Sequence, residues 1–462
     1  MAGQGVVLCA DVGSTYTKVL VVRAADAELV GRGVAPTTVS NDVMHGFELA
    51  CSRALADVGA AEVTGCVASS SAAGGLRIAT VGFVRNLTAE AARRAALGAG
   101  GRVVCGFANR ITYDDVESLR LQRPDIILLT GGTNGGDEAT IRHNGNMLAE
   151  LAPTVPVIVA GNRAASHDLE RVLRDAGCTV YVTPNLMPEL GVLDTEPVQE
   201  LVREIFLREI VQAKGLGRLE KWVGASLLPT PLAVMRGAEL VAAAGLSGGV
   251  LVVDVGGATT DVVSVLRGEA PPPSGESGAL PEARIRRTVE ADLGLRVSVR
   301  SLVESPQAAS LLSSLEPSQV VAMTDRFAAK PEAVAEADAE TRFECALVEA
   351  AVSQAVSRHA GRHETVWPAR GKPFVVTIGR DVSELRDVIV TGGYFYHGGA
   401  AALDPVARAL QTARENGSLV TESPRLLADS AYALYAIGLL ATHRPALGER
   451  LAQTLFSVAA SG

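Results

Sequence analysis

Apolar residues run through the chain in short strings that stop at Asp, Gly and small polar residues. At Leu8–Val22, LCADVGSTYTKVLVV, one apolar run enters Asp11-Val12-Gly13-Ser14-Thr15 and a second leaves it, which predicts two strands joined by a tight turn. The pattern returns at Leu251–Val265, LVVDVGGATTDVVSV, where Asp254, Val255, Gly256, Thr260 and Val262 stand in the places of Asp11, Val12, Gly13, Thr17 and Val19. Two copies of one device imply one shared ligand. Apolar runs around a small-residue loop at Thr64–Phe83 predict further strands.

From about Leu87 to Pro184 the grammar changes. Helix-spaced stretches such as TAEAARRAALGAG alternate with RVVCGF, DIILLTGG, VPVIVAG and CTVYVTP, the signature of βα units on a parallel sheet. Glu196–Leu216 has helical spacing closed by Gly215, Gly268–Ala283 is a Pro/Gly/Ser-rich loop, and most of Ser301–His363 reads as helix. A last βα element at Asp387–Gly399 precedes an apolar helix at Ala431–Leu440. The expected organisation is a first unit at 1–86 that resumes at 185–247, an inserted α/β unit at 87–184, and a second unit at 248–462.

With 462 residues, 48% hydrophobic and 20% charged, the chain has the composition of an ordinary globular protein able to bury sizeable cores. A net charge of −9 without a long Lys/Arg run argues against nucleic acid, and the RIRR at Arg284–Arg287 reads as a solvated face. Six scattered cysteines with no CxxC suggest reduced, mostly buried thiols rather than a zinc site. The N-terminus lacks a signal-peptide pattern, and the best apolar run, Ala431–Ala441, falls short of the roughly 20 residues that span a membrane. Cytoplasmic residence without membrane association is the expectation.

The hairpins carry the candidate chemistry. A nucleoside triphosphate with magnesium requires backbone N–H groups near its phosphates, hydroxyls to extend the cradle, and carboxylates for a hydrated metal. In the first copy Asp11 faces the metal, Gly13, Ser14, Thr15 and Thr17 line the phosphates, and Lys18 supplies positive charge. In the second, Asp254 matches Asp11, with Gly256, Gly257, Thr259 and Thr260 as the opposing cradle. Magnesium needs few protein carboxylates, so Asp11 and Asp254 suffice, and they are the candidate catalytic pair. Neither turn is a Walker loop, since GxxxxGK[ST] is absent and each continues as strand. A turn of an ordinary hairpin accounts for either copy alone, but less well for both. Gly392-Gly393 after a strand offers backbone to a base or ribose, while the glycine-rich Leu128–Asp137 reads as structural or partner-facing. His359 and His363 lie four apart without a completing Glu or Cys, and read as a surface pair near a helix end rather than a metal site. Glu290 and Asp292 reach the metal, the domain interface, or only a local salt bridge.

Paired strand–DxG–strand elements with a later Gly-Gly resemble the actin, Hsp70 and sugar-kinase superfamily, whose two RNase H-like domains close on ATP. The stretches RTVEADLGLRVS (Arg287–Ser298), NLMPELGVLDTEPV (Asn185–Val198), SSAAGGLRI (Ser70–Ile78), PDIILLTGGTNGG and DVGGATTDV together resemble the MutL/GlmL family, collinearly and over nearly the whole chain. These are accessory proteins of adenosylcobalamin-dependent glutamate mutase and related mutases, unrelated to DNA mismatch repair. The resemblance implies an α/β protein with two actin-like domains and an inserted α/β subdomain. It also implies ATP and Mg2+ as ligands, mutase subunits as partners, and ATP-driven exchange of damaged cobalamin; it leaves homo-oligomerisation open. This sequence departs from the superfamily pattern in the bulky Tyr394 and Phe395 after the glycines and in Ala258 within the second turn. A small-molecule kinase of the same fold and an actin-like scaffold are the alternatives. The kinase needs a general base over an acceptor pocket, for which no motif stands out.

Overall fold

β-branched residues dominate both hairpins, and their alternate side chains enter different cores. The structure is a computed structural model that describes residues 5–13, 16–37, 42–59, 61–71, 76–206, 216–224, 226–244, 249–268, 283–366, 373–398 and 400–457. The first hairpin is β1 (Gly5–Val12) and β2 (Tyr16–Arg23), followed by β3 (Leu29–Pro36), helix α1 (Val43–Leu55) and β4 (Glu62–Ser70). Along β1, Val6, Leu8, Ala10 and Val12 pack into the core that includes α1, while Val7 and Cys9 pack into a second core on the other face. A strand covered on both faces reads as a continuous apolar run, which is why polarity alternates so little in β1.

The inserted unit holds β5 (Arg77–Val81), helix α2 (Glu90–Gly98), β6 (Arg102–Phe107), β7 (Ile126–Leu129), β8 (Val157–Val159) and β9 (Val180–Val182). All its neighbouring strands are parallel, in the order β6-β5-β7-β8-β9. The apolar runs flanking the small-residue loop thus part company: β4 joins β1, whereas β5 joins the inserted sheet ahead of Leu87. The short β10 (Leu228–Pro229) and helix α3 (Thr230–Ala243) follow.

The second half contains β11 (Gly249–Val255), β12 (Thr260–Leu266), β13 (Ile285–Glu290), the long helix α4 (Asp338–His359), a separate β14–β15 pair (Arg362–Val366 and Phe374–Ile378), β16 (Asp387–Thr391), β17 (Arg425–Ala428) and helix α5 (Leu434–His443). The two main sheets have one plan. β3-β2-β1-β4-β10 and β13-β12-β11-β16-β17 share strand order, with the first three strands antiparallel and the last two parallel to the central one. Each ends in a helix that packs between the sheets, α3 after β10 and α5 after β17, in a core that also takes Val7 and Cys9 from β1 and Val250 and Val252 from β11.

The crossing of α3 and α5 depends on two glycines. A methyl on Gly438 would lie 1.7 Å from the Ala233 carbonyl oxygen, and one on Gly237 would lie 2.1 Å from that of Leu434. The helices therefore meet backbone to backbone, which couples the halves at the floor of the cleft between the hairpins.

Two expectations change here. His359 ends α4 fully buried, and His363 lies beyond it in β14, so they are not a surface pair. Its ring spans Thr288 Oγ1 (3.0 Å from Nδ1) and Ser264 Oγ (2.7 Å from Nε2), and burial first, then Arg286, Arg380 and Arg93, hold it far below the usual histidine pKa. The cysteines are free thiols, four buried and two half-buried. No helix among the described residues is long and apolar enough to cross a membrane.

Candidate active site

Both hairpins turn in the same way. The Gly13 N–H donates to the Tyr16 carbonyl at 3.0 Å, and the Gly256 N–H donates to that of Thr259 at 2.9 Å. Ser14 and Thr15 lie outside the described residues. Register then sorts the candidates, because cross-strand partners share a face. Asp11 pairs with Lys18 and Asp254 with Asp261, whereas Val12 pairs with Thr17 and Val255 with Thr260. Thr17 and Thr260 accordingly point away from their aspartates and are fully buried, with hydroxyls at 2.9 Å from Thr37 Oγ1 and 2.7 Å from the Leu293 carbonyl. Their hydroxyls brace the turns, on the face opposite Asp11 and Asp254.

Asp11 is buried and held rigidly. Ser69 Oγ and Thr230 Oγ1 donate to its Oδ1 at 3.0 and 2.5 Å, and Lys18 Nζ stands 3.7 Å from its Oδ2. Lys18 Nζ also lies 3.7 Å above the centre of the Tyr432 ring, a cation–π contact contributed by the second half. Burial opposes the Lys18 charge, but Tyr432, Asp11 and Asp254 outweigh it and hold the ammonium above the ordinary lysine value. Asp254 is the stressed group of the site. Burial, then repulsion from Asp261 and Asp11, raise its pKa to about 7 against the pull of Lys18 and Arg287.

The residues fit a divalent cation with phosphates. No set of three or more His, Cys, Asp or Glu side chains among the described residues could hold a metal alone. The crowding of Asp11, Asp254 and Asp261 is what a cation relieves, and Asp261 Oδ1 is buried without a hydrogen-bond partner among the described residues. Magnesium prefers few protein carboxylates and completes its shell with water and phosphate oxygens.

The family-like stretch Arg287–Ser298 packs behind the second turn. The N–H groups of Leu295, Arg296 and Val297 donate to the Gly256 and Gly257 carbonyls at 2.8–3.0 Å, and Ser298 Oγ donates to that of Ala258 at 2.8 Å. Those carbonyls are thereby occupied on the protein side. Glu290 and Asp292 both accept from Arg358, so their role is a salt bridge.

Arg287, 5% exposed, donates to Asp261 Oδ2 from Nη2 at 2.6 Å and from Nε at 3.1 Å, and its Nη1 donates to the Gly101 carbonyl just past α2 at 3.0 Å. It ties the second hairpin to the inserted unit. Arg287→Ala leaves a buried carboxylate uncompensated and should cost about 3–5 kcal/mol in chemical denaturation; a loss below about 1 kcal/mol would show that water replaces the guanidinium.

Gly392 takes a φ of +128°, and a methyl there would lie 2.2 Å from the Val255 carbonyl oxygen, so the third glycine loop sits directly against the second hairpin. Gly393 is close to the Tyr432 hydroxyl. Asp429 fastens this corner: it accepts from Thr391 Oγ1 at 3.2 Å and from the N–H groups of Ala433 and Leu434 at 2.7 and 3.1 Å. The structure thus gathers Asp11, Lys18, Asp254, both turns and the Gly392 loop at one cleft. It adds Ser69, Thr230, Asp261, Asp429 and Tyr432, which sequence reasoning passed over. Only Asp429, just before an apolar helix, carried a local signal.

Two sheets of identical RNase H-like topology, each presenting an Asp-headed hairpin to a shared cleft, define the actin-like ATPase fold. The family model described as MutL protein matches residues 7–456. Protein MutL of Clostridium tetanomorphum is 37% identical over 447 residues, covering 95% of this chain and 96% of that one. The chain belongs to the MutL protein family. Solved structures with detectable likeness include nucleotide-free acetone carboxylase (15% identity, 94% of this chain and 70% of that one, TM-score 0.42). A glycerol dehydratase reactivase (12%, 95% and 100%, TM-score 0.38) and a ROK family glucokinase from Streptomyces griseus (11%, 94% and 98%, TM-score 0.34) are also similar.

Proposed function

We propose that the protein is an ATP-hydrolysing accessory factor that maintains an adenosylcobalamin-dependent mutase by opening it to exchange damaged cobalamin. The observation that carries the ATPase part is the convergence of Asp11, Lys18 and Asp254 from two matched hairpins on one cleft. The mutase part follows from membership of the MutL family, and the nominal partner is a glutamate mutase-like enzyme. Adenosylcobalamin enzymes run on radicals, and loss of the adenosyl group leaves spent cofactor in a closed site.

Lys18 and the turn amides hold the phosphates, and Asp11, fixed by Ser69 and Thr230, sets the position of that charge. Asp11 and Asp254 would hold Mg2+, whose chemistry there would be neutralisation of phosphate charge. Asp254 orients water toward the γ-phosphorus; as the O–P bond forms, the bond to the ADP oxygen breaks and the water proton passes to the Asp254 carboxylate. Closure would be felt where the first sheet already touches the second half, at Tyr16 Oη of β2 donating to the Glu332 carbonyl and Arg32 of β3 stacked on Tyr396.

The inserted unit is proposed to face the mutase. Arg93 and Arg94 are unsuitable handles for testing this, because both clamp Glu90 and Arg93 faces the second half. Tyr113 and Leu121, 69% and 77% exposed on the helix Tyr113–Gln122 of that unit, offer apolar surface instead. Tyr113→Asp with Leu121→Asp should leave basal ATPase unchanged and reduce reactivation of cobalamin-inactivated mutase at least tenfold, measured side by side. Unchanged reactivation would move the docking surface elsewhere, and failure of ATPase in the wild type would remove the ATPase reading itself.

A further inference from the structure

The first sheet places two cations on two aromatic rings of the second half. In the β2–β3 pairing Lys18 stands opposite Val34 and Arg32 opposite Leu20, so the strand period of two puts both side chains on one face of the sheet, the face that carries Asp11. Lys18 Nζ lies 3.7 Å from the centre of the Tyr432 ring, and the Arg32 guanidinium lies 3.9 Å from that of Tyr396. The two rings adjoin, with centroids 6.1 Å apart. Arg32 Nη1 also donates to the Ser430 carbonyl at 3.4 Å, two residues before Tyr432. Tyr432 itself takes a φ of +57°, a region that a bulky side chain rarely adopts. Asp429 keeps it there: its carbonyl accepts from the Tyr432 N–H at 3.1 Å, and its carboxylate accepts from the next two N–H groups. Backbone of this kind persists only where the surroundings impose it, and its result here is a ring set against Lys18.

We infer that Tyr432 is a positioning residue for Lys18: its ring, supplied by the second half, sets the ammonium of the first hairpin where the phosphates of a nucleotide meet it. Asp11 does not fix that position alone, since 3.7 Å from Nζ to Oδ2 is an ion pair longer than a hydrogen bond. A ring attracts the charge through its quadrupole, while the ammonium keeps donors for phosphate oxygens. The phosphate role rests on the ATPase reading of this cleft; the ring contact does not. Because ammonium and ring come from different halves, phosphate affinity depends on how the halves are seated, and Arg32 on Tyr396 secures that seating one strand away.

The test uses the intact chain carrying carbon-13-labelled lysine and followed by NMR. The sequence has five lysines, so few signals compete, and the one lost in Lys18→Arg is Lys18. A ring shields nuclei above its face, so the Lys18 ε-methylene should resonate upfield of the other lysines in the nucleotide-free protein, stay there in Tyr432→Phe and rejoin them in Tyr432→Leu. The KM for Mg-ATP should rise about tenfold in Tyr432→Leu, with kcat changed less, and stay within about twofold of the wild type in Tyr432→Phe, which keeps the ring. An unshifted Lys18 signal in the wild type, a KM in Tyr432→Leu equal to that of the wild type, or a Tyr432→Phe variant as impaired as Tyr432→Leu would each overturn the inference. Wild-type protein that shows the shifted signal but no calorimetric binding of Mg-ATP would instead overturn the ATPase reading, and the phosphate role with it.

Discussion

Asp254→Asn should abolish ATP turnover while raising the melting temperature of the nucleotide-free protein at pH 8. The two effects have one cause. Burial and the neighbouring Asp261 and Asp11 lift the Asp254 pKa from 3.8 to about 7 in the folded chain. A raised carboxyl pKa means that the native state binds more protons than the unfolded chain between those values, so stability falls as pH rises through 7. Asparagine keeps the shape, removes the repulsion and loses the proton acceptor. Its thermal advantage should be largest at pH 8 and fade toward pH 5, where the wild-type carboxyl is protonated. Nucleotide binding, which we propose rests largely on the turns and Lys18, should survive. Scanning calorimetry at the two pH values and a steady-state phosphate-release assay suffice, and undiminished turnover would show that another group handles the proton.

Gly438→Ala should be the most disruptive Gly→Ala change among the described residues. The added carbon would sit 1.7 Å from the Ala233 carbonyl oxygen, inside any tolerable contact, so α3 and α5 must separate. Overpacking of this kind costs about 1–3 kcal/mol, and more where backbone has to move. Because these helices join the two halves beneath the cleft, nucleotide affinity should fall along with the urea midpoint. A midpoint equal to that of the wild type would mean that the helices slide freely past one another.

The hairpins were legible because their chemistry is local: an apolar run, Asp, Gly and a second apolar run specify turn and strands together. The βα alternation of the inserted unit was legible for the same reason. What sequence hid was partnership at a distance. Ser69 and Thr230 reach Asp11 from 58 and 219 residues away, with nothing in their neighbourhoods to mark them. The hydroxyls of Thr17 and Thr260 suit a phosphate cradle by residue type, yet the two-residue strand period turns them to the other face from Asp11 and Asp254. Burial, likewise, cannot be read from the i, i+4 spacing of His359 and His363. The Arg287–Ser298 stretch stood out in sequence, but its work, occupying the carbonyls of the second turn and tying Asp261 to the inserted unit, appears only in three dimensions.

The central claim is that hydrolysis, not binding, opens the partner. Release of cyanocobalamin from an inactivated adenosylcobalamin-dependent mutase, followed by absorbance after rapid gel filtration, tests it most directly. The account predicts release with wild-type protein and Mg-ATP, and none with a non-hydrolysable ATP analogue or with Asp254→Asn. Equal release with the analogue, or no release with Mg-ATP, would contradict it.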